Sequence, residues 1–134
     1  MTYSQQFATR WADNDIYGHL NNTIYYAAMD TTINTWLIGE AGFNPITSDP
    51  IAYCVSSSCN WVASGAFPDT LRVELGVGRL GTSSITWKLA ILRDADDTLL
   101  ANGEFVHVFV DRANRRPVPI PDALRTQIAA DLSS

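Results

Sequence analysis

The run from Arg10 to Tyr26 gathers most of the side chains in this sequence that could do chemistry. Two carboxylates (Asp13, Asp15), an imidazole (His19), a glycine (Gly18) and three helix-capping side chains (Asn21, Asn22, Thr23) lead into an apolar helical stretch. Ordinary loops use Asp, Asn and Gly for turns, but this one sets Ile16, Tyr17 and Leu20 among them. A loop of that mixed character, feeding a helix start, can hold a carboxylate beside backbone N–H groups that no helical carbonyl claims. That combination suits chemistry on a carbonyl.

The elements that must position these groups are legible on either side. Tyr3, Phe7 and Trp11 fall on one face of an extended segment with Gln5 and Thr9 between them, which predicts an edge strand. From Thr23 to about Leu37 the period changes: Tyr25, Met29, Ile33 and Trp36 form a stripe that Ile24, Ala28 and Leu37 widen. Gly39 and Gly42 supply the stop. At ~1.5 Å per residue this helix is roughly 24 Å long, enough to cross a sheet.

Residues 45–50 read as a connector, and four strand-like runs follow. Ile51, Tyr53, Val55, Ser57, Cys59 and Trp61 alternate with smaller or polar residues; so do Leu71, Val73, Leu75 and Val77, and then Ile85, Trp87, Leu89 and Ile91. Turn residues at Ser64-Gly65, Pro68-Asp69, Gly81-Thr82 and 94–97 separate the runs and predict antiparallel hairpins. In the last run, 99–110, Val106, Val108 and Val110 oppose Phe105 and Phe109, so both faces read as buried. One helix covers one face, so the other asks for a second subunit. The tail from Pro121 to Leu132 reads as a short helix. A strand, a long helix and four strands make an α+β layer pair, a five-stranded antiparallel sheet curled around one central helix, in a single domain spanning 1–134.

The motif Asp-x-Asp-x-x-Gly-His-Leu-Asn-Asn-x-x-Tyr at 13–25 resembles that of the hotdog-fold acyl-CoA thioesterases of the 4-hydroxybenzoyl-CoA thioesterase type. The Arg-Leu-Gly-x-Ser-Ser-Ile of 79–85 and the Val-Asp-x-x-x-x-Arg-Pro-Val-Pro-Ile-Pro of 110–121 match in the same order, so the resemblance covers nearly the whole chain. It implies the hotdog fold and hydrolysis of an acyl-CoA or acyl-carrier thioester, with coenzyme A entering only as part of the substrate. It assigns catalysis to Asp15, acting as nucleophile through a mixed anhydride or as a base on water, and the oxyanion donor to the backbone amide of Asn22. A turn-forming Asp15 and a capping Asn22 side chain are the plainer readings, and role and turn can coexist. Gly18 lets the loop turn or lets substrate approach the backbone. His19 is either a general acid for the thiolate or a hydrogen-bonding group that shapes the loop. Tyr25 either lines the acyl pocket or is a core aromatic. Asp13 either repels Asp15 and raises a pKa or bonds loop N–H groups.

Ser83 and Ser84 match family positions near the bound ligand, while Thr82 stands where the family often carries a basic residue. Arg112, Arg115 and Arg116 are then the candidates for the nucleotide. Family members often have Glu and Arg in mid-helix; Asp30 and Ile33 here indicate a distinct subgroup. Hotdog enoyl-thioester hydratases use an Asp-x-Asn-Pro-x-His context that this sequence lacks; a non-catalytic acyl-thioester-binding protein is the other alternative.

Composition sets the outer limits. A net charge of −5 argues against a nucleic-acid partner and requires a local basic patch for any polyphosphate ligand. No apolar run approaches the ~20 residues of a membrane span. The opening lacks a basic segment followed by an apolar one, so the cytoplasm is the expectation. Cys54 and Cys59 read as core thiols pointing to opposite faces, and with only two histidines no metal or other cofactor is expected. No Gly-x-Ser-x-Gly elbow is legible, which excludes an α/β-hydrolase thioesterase.

Overall fold

The computed structural model describes residues 3–132; Met1 and Thr2, the start of the opening segment, lie outside the described residues. Its elements are β1 (Tyr3–Ala8), a 3₁₀ turn (Trp11–Asp13), α1 (Asn22–Gly39), β2 (Ile51–Trp61), β3 (Thr70–Leu80), β4 (Ser84–Arg93), β5 (Thr98–Val110) and α2 (Asp122–Leu132). The strands form one five-stranded antiparallel sheet in the order β1-β3-β4-β5-β2. This is the hotdog arrangement, with α1 packed against one face of the sheet.

The helical stripe and the strand alternation meet as expected. Met29, Ile33 and Trp36 of α1 are fully buried against Leu71, Val73 and Leu75 of β3 and Ile85, Trp87 and Ile91 of β4. Trp36 meets Trp87 edge-on at 5.9 Å, within the range where aromatic pairs add to simple burial. From β5, Phe105, His107 and Phe109 face the same core.

Several expectations need correction. The runs 51–61 and 71–77 do not form a hairpin: β2 crosses the sheet to pair with β5, leaving its other edge open. Turn residues mark only where a strand ends; where the next strand docks depends on which edge is free. Trp11 is not in the edge strand, which stops at Ala8; it stands 77% exposed and packs edge-on against Phe67.

Alternation in β2 is interrupted by a bulge between Cys54 and Ser56. One extra residue reverses the parity of everything after it. Cys54 lies opposite His107 and Cys59 opposite Gly103, so both cysteines are on the helix-facing side, not on opposite faces. Neither is a fully buried core thiol: Cys54 is exposed, because nothing described covers the outer edge of β2, and Cys59 is half-buried.

The outward face of β5 is less apolar than its sequence implies. Val106 and Val108 are half-buried, and their neighbours include the Lys88–Glu104 ion pair at 3.7 Å. Among the described residues the 11-residue edge of β2 lacks a cover, with Tyr53, Val55 and Trp61 exposed.

Candidate active site

The motif forms a small hairpin ahead of α1. Asp13 C=O accepts the Asn21 amide at 2.8 Å, Asn14 bridges to Leu20, and the Asp15 amide donates to His19 C=O at 2.8 Å. Between them the chain turns through Ile16 and Tyr17, and Gly18 takes φ of +79°, a conformation that strains any side chain with a Cβ.

The two carboxylates divide their work. Asp13 is 2% exposed, accepts the Arg10 amide at 2.8 Å and binds the Arg10 guanidinium at 2.7 Å. The Arg10 side-chain hydrogen bond holds its carboxyl below the ordinary value of 3.8, the opposite of the rise that repulsion from Asp15 would produce. Asp13 therefore fastens the loop. Asp15 is half-buried, and its Oδ1 accepts the amides of Tyr17 at 2.8 Å and His19 at 3.3 Å. Both bonds go to Oδ1, so Asp15 forms the turn while its Oδ2 makes no hydrogen bond among the described residues.

Asn21 is the N-cap of α1. Its side-chain oxygen accepts the Thr23 amide at 3.0 Å and its carbonyl accepts the Ile24 amide at 2.9 Å. Asn22 is the first helical residue rather than a cap, and its amide makes no hydrogen bond among the described residues. That unclaimed N–H sits at the positive end of the helix dipole.

A second segment closes the site. Residues 62–69, after β2, are laced to the motif: Gly65 C=O accepts the Leu20 amide at 2.9 Å, and the Asn14 side chain accepts the Phe67 amide at 3.0 Å. Arg93 holds the far side through Ser64 C=O and Asp69. Together the two segments and the start of α1 line an open cavity of about 340 Å³, bordered by Asp15, His19, Leu20, Asn22, Tyr25 and residues 61–64. His19 is exposed at its rim, and its imidazole makes no hydrogen bond among the described residues. Tyr25 is both a core aromatic and a wall of the cavity. The 61–64 wall was missed in the sequence because Trp61 reads only as a strand residue; nothing local says that β2 ends beside the motif.

The remaining candidates lie elsewhere in the chain. Ser83 C=O accepts the Phe109 amide, and Ser84 pairs with Val108. This end of β5 is eight residues from Ala101, which pairs with Trp61, or ~26 Å at ~3.3 Å per residue. Thr82 C=O is taken up by the Ile120 amide and by Arg125. Arg112 donates to Ser48 C=O and Pro45 C=O, and Arg115 binds the Tyr53 hydroxyl and lies over its ring. The side chain of Arg116 is exposed and unengaged among the described residues. Asp30 is on the exposed side of α1, hydrogen-bonded to Asn34, and Ile33 is in the core.

A second cavity, about 210 Å³, opens between the end of α1 and α2 with Phe43, Phe109 and Leu124 among its walls, and contains none of the motif residues. No helix of the described residues is long and apolar enough to cross a membrane.

Residues 9–128 match the thioesterase-like superfamily. The PA5185 protein of Pseudomonas aeruginosa strain PAO1 is 47% identical in sequence and superposes with a TM-score of 0.92, over 98% of this chain and 92% of that one. Slr0204, a 1,4-dihydroxy-2-naphthoyl-CoA thioesterase from Synechocystis, has the same fold at 20% identity, with a TM-score of 0.87 and 96% of each chain covered. So does a 4-hydroxybenzoyl-CoA thioesterase variant complexed with 4-hydroxybenzoyl-CoA, at 17% identity and a TM-score of 0.84, covering 95% of this chain and 98% of that one. No curated protein matches the sequence.

Proposed function

This chain belongs to the thioesterase-like superfamily, and from that premise we propose that it hydrolyses an acyl-CoA thioester to the free acid and coenzyme A. The observation that carries the reading is the shared cavity: the Asp15 carboxylate and the Asn22 amide, unpaired among the described residues, border the same space. Whole-chain likeness to solved structures supports it, and residues 1–134 act as one catalytic domain.

The reaction needs an electron pair at the acyl carbon and a home for the charge on its oxygen. With Oδ1 held by two amides, Oδ2 of Asp15 is the working atom. It either attacks the carbonyl carbon, expelling the thiolate and forming a mixed anhydride that water then cleaves to the free acid and the Asp15 carboxylate, or takes a proton from a water that attacks in its place. In both routes the oxygen turns anionic beside the Asn22 N–H, a donor that needs no reorganisation. Gly18 keeps the turn that presents Asp15. His19, at the rim, is placed to meet the leaving thiolate, which departs readily without it. Neither route requires a metal.

The nucleotide end needs cations that this rim does not supply. The open edge of β2 offers a way to bring them, because an unpaired strand edge is a template for another strand. A second copy pairing antiparallel along β2 would set its 110–116 segment and its Thr82, Ser83 and Ser84 beside the first copy's Asp15. Arg116 is then the phosphate-binding candidate whose guanidinium is unengaged among the described residues, and the working unit is a homodimer or a tetramer of dimers with sites at the subunit junction. This places the need for a partner at the β2 edge rather than on the outer face of β5.

Thiol release from a panel of acyl-CoAs tests the reading, with hydration of an enoyl-CoA followed in parallel. Aromatic acyl groups belong in the panel because one solved neighbour is a 1,4-dihydroxy-2-naphthoyl-CoA thioesterase and another is complexed with 4-hydroxybenzoyl-CoA. Hydration without hydrolysis, or binding without either, would reject it.

A further inference from the structure

Tyr25 carries a hydroxyl proton with no acceptor among the described residues. The side chain is 2% exposed, yet it borders the cavity that Asp15 and Asn22 share. Its oxygen is already an acceptor, since the Gly65 amide donates to it at 3.1 Å. A buried phenol that accepts one bond still has an O–H to place, and such groups rarely go unmatched.

The surroundings aim that O–H and sharpen it. Helical side chains lean toward the N-terminus of their helix, and positions three apart share a face. Tyr25 and Asn22, three positions apart, therefore share a face at the start of the helix, and both border the cavity. Trp61 meets the Tyr25 ring edge-on at 6.0 Å and limits its swing. A Cβ on Gly65 would lie 3.0 Å from Leu100 and 3.2 Å from Leu20, so a glycine lets this backbone settle onto the phenol. Donation from Gly65 polarises the phenol and makes its O–H a stronger donor. Burial, the largest influence on the group, raises its pKa above the ordinary 10.0, so the proton stays on the oxygen at neutral pH.

We propose that the Tyr25 hydroxyl is a second donor to the thioester carbonyl oxygen, completing a two-donor oxyanion hole with the Asn22 amide. The inference rests on the thioesterase reading of the same cavity. No proton is transferred. As the nucleophile adds to the carbonyl carbon, the π pair moves to oxygen between the two donors, and its return expels the thiolate.

The test uses the whole chain with acetonyl-CoA and phenacyl-CoA, ketones labelled with ¹³C at the carbonyl. A methylene between sulfur and carbonyl makes them unhydrolysable. In Tyr25→Phe the bound ketone resonance should move upfield of its wild-type position while binding persists. Turnover of the best thioester in the panel should fall about 10²-fold in kcat with KM little changed, as loss of one oxyanion donor typically does. A merely structural role would move neither the resonance nor kcat at unchanged KM. An unchanged bound resonance, or more than about a tenth of wild-type kcat, overturns the tyrosine assignment and leaves the thioesterase reading standing. No turnover by the wild type and no ketone binding overturns both. If Tyr25→Phe fails to fold, 3-fluorotyrosine introduced in place of Tyr25 keeps both bonds while acidifying the phenol. The bound resonance should then move further downfield, and no movement counts against the assignment.

Discussion

Asp13 and Arg10 meet at 2.7 Å with the acid side chain 1% exposed and the base 75% exposed. The pair closes the entrance of the motif loop, because the Asp13 carboxylate also takes the Arg10 amide and its carbonyl takes the Asn21 amide. Asp13→Ala should therefore destabilise the fold by about 1–3 kcal/mol, the usual cost of stranding hydrogen-bond partners. Its effect on turnover should be much smaller than that of changing Asp15. Chemical denaturation beside a kinetic assay separates the two.

Asp15→Asn should abolish hydrolysis while the melt and ligand binding stay close to wild type. The amide is isosteric and can still accept the Tyr17 amide through its oxygen. It is a poor nucleophile and a poor base, and general-base assistance alone is worth ~10²–10⁴-fold. Retention of more than about a tenth of wild-type turnover would remove Asp15 from the mechanism.

At the helix start, Asn21→Ala should cost about 1 kcal/mol, because its side chain is the cap. Asn22→Ala should leave stability nearly untouched and turnover close to normal, since the proposed donor is backbone. Paired thermal melts decide it; equal losses at both positions would contradict the cap assignment.

Acid should weaken the fold in two stages. His107 is buried and accepts the Trp87 indole N–H at Nδ1 at 3.1 Å. Burial pushes its pKa below the ordinary 6.5, outweighing the opposing pull of the Asp30 charge. The unfolded chain then binds a proton that the folded chain resists, so stability falls as pH drops below 6.5. Asp13, whose pKa is lowered, contributes stability that is present above 3.8 and lost as pH falls below it. His107→Gln keeps an acceptor for Trp87 without titrating. Denaturation midpoints for that variant should lose the slope just below pH 6.5 and keep the lower one.

In solution the chain should sediment as a dimer or larger at micromolar concentration. Val55→Lys places a charge on the open β2 edge, where Val55 is 60% exposed, and should shift the protein toward monomer with loss of turnover. A fully active monomer would sink the junction site. Dialysis against chelator should leave activity unchanged; loss that a divalent ion restores would show a metal requirement.

Local pattern determined much of this protein by itself. The 3.6-residue stripe of α1, the two-residue alternation of β3 and β4 and the capping Asn before Thr23 depend on neighbours a few positions away, so they are legible in order along the chain. The motif told which residues would gather at the start of α1, because they are contiguous. Tertiary structure decided the rest. The parity of β2 after Cys54 depends on a bulge that alternation cannot register, and its place beside β5 depends on which sheet edge was free. Only folding brings Trp61 and Gly65 against Tyr25, across gaps of 36 and 40 positions, and engages Arg112 and Arg115 but, among the described residues, not the Arg116 side chain. Those outcomes turn on long-range packing and on competition for hydrogen-bond partners, which no stretch of sequence carries locally.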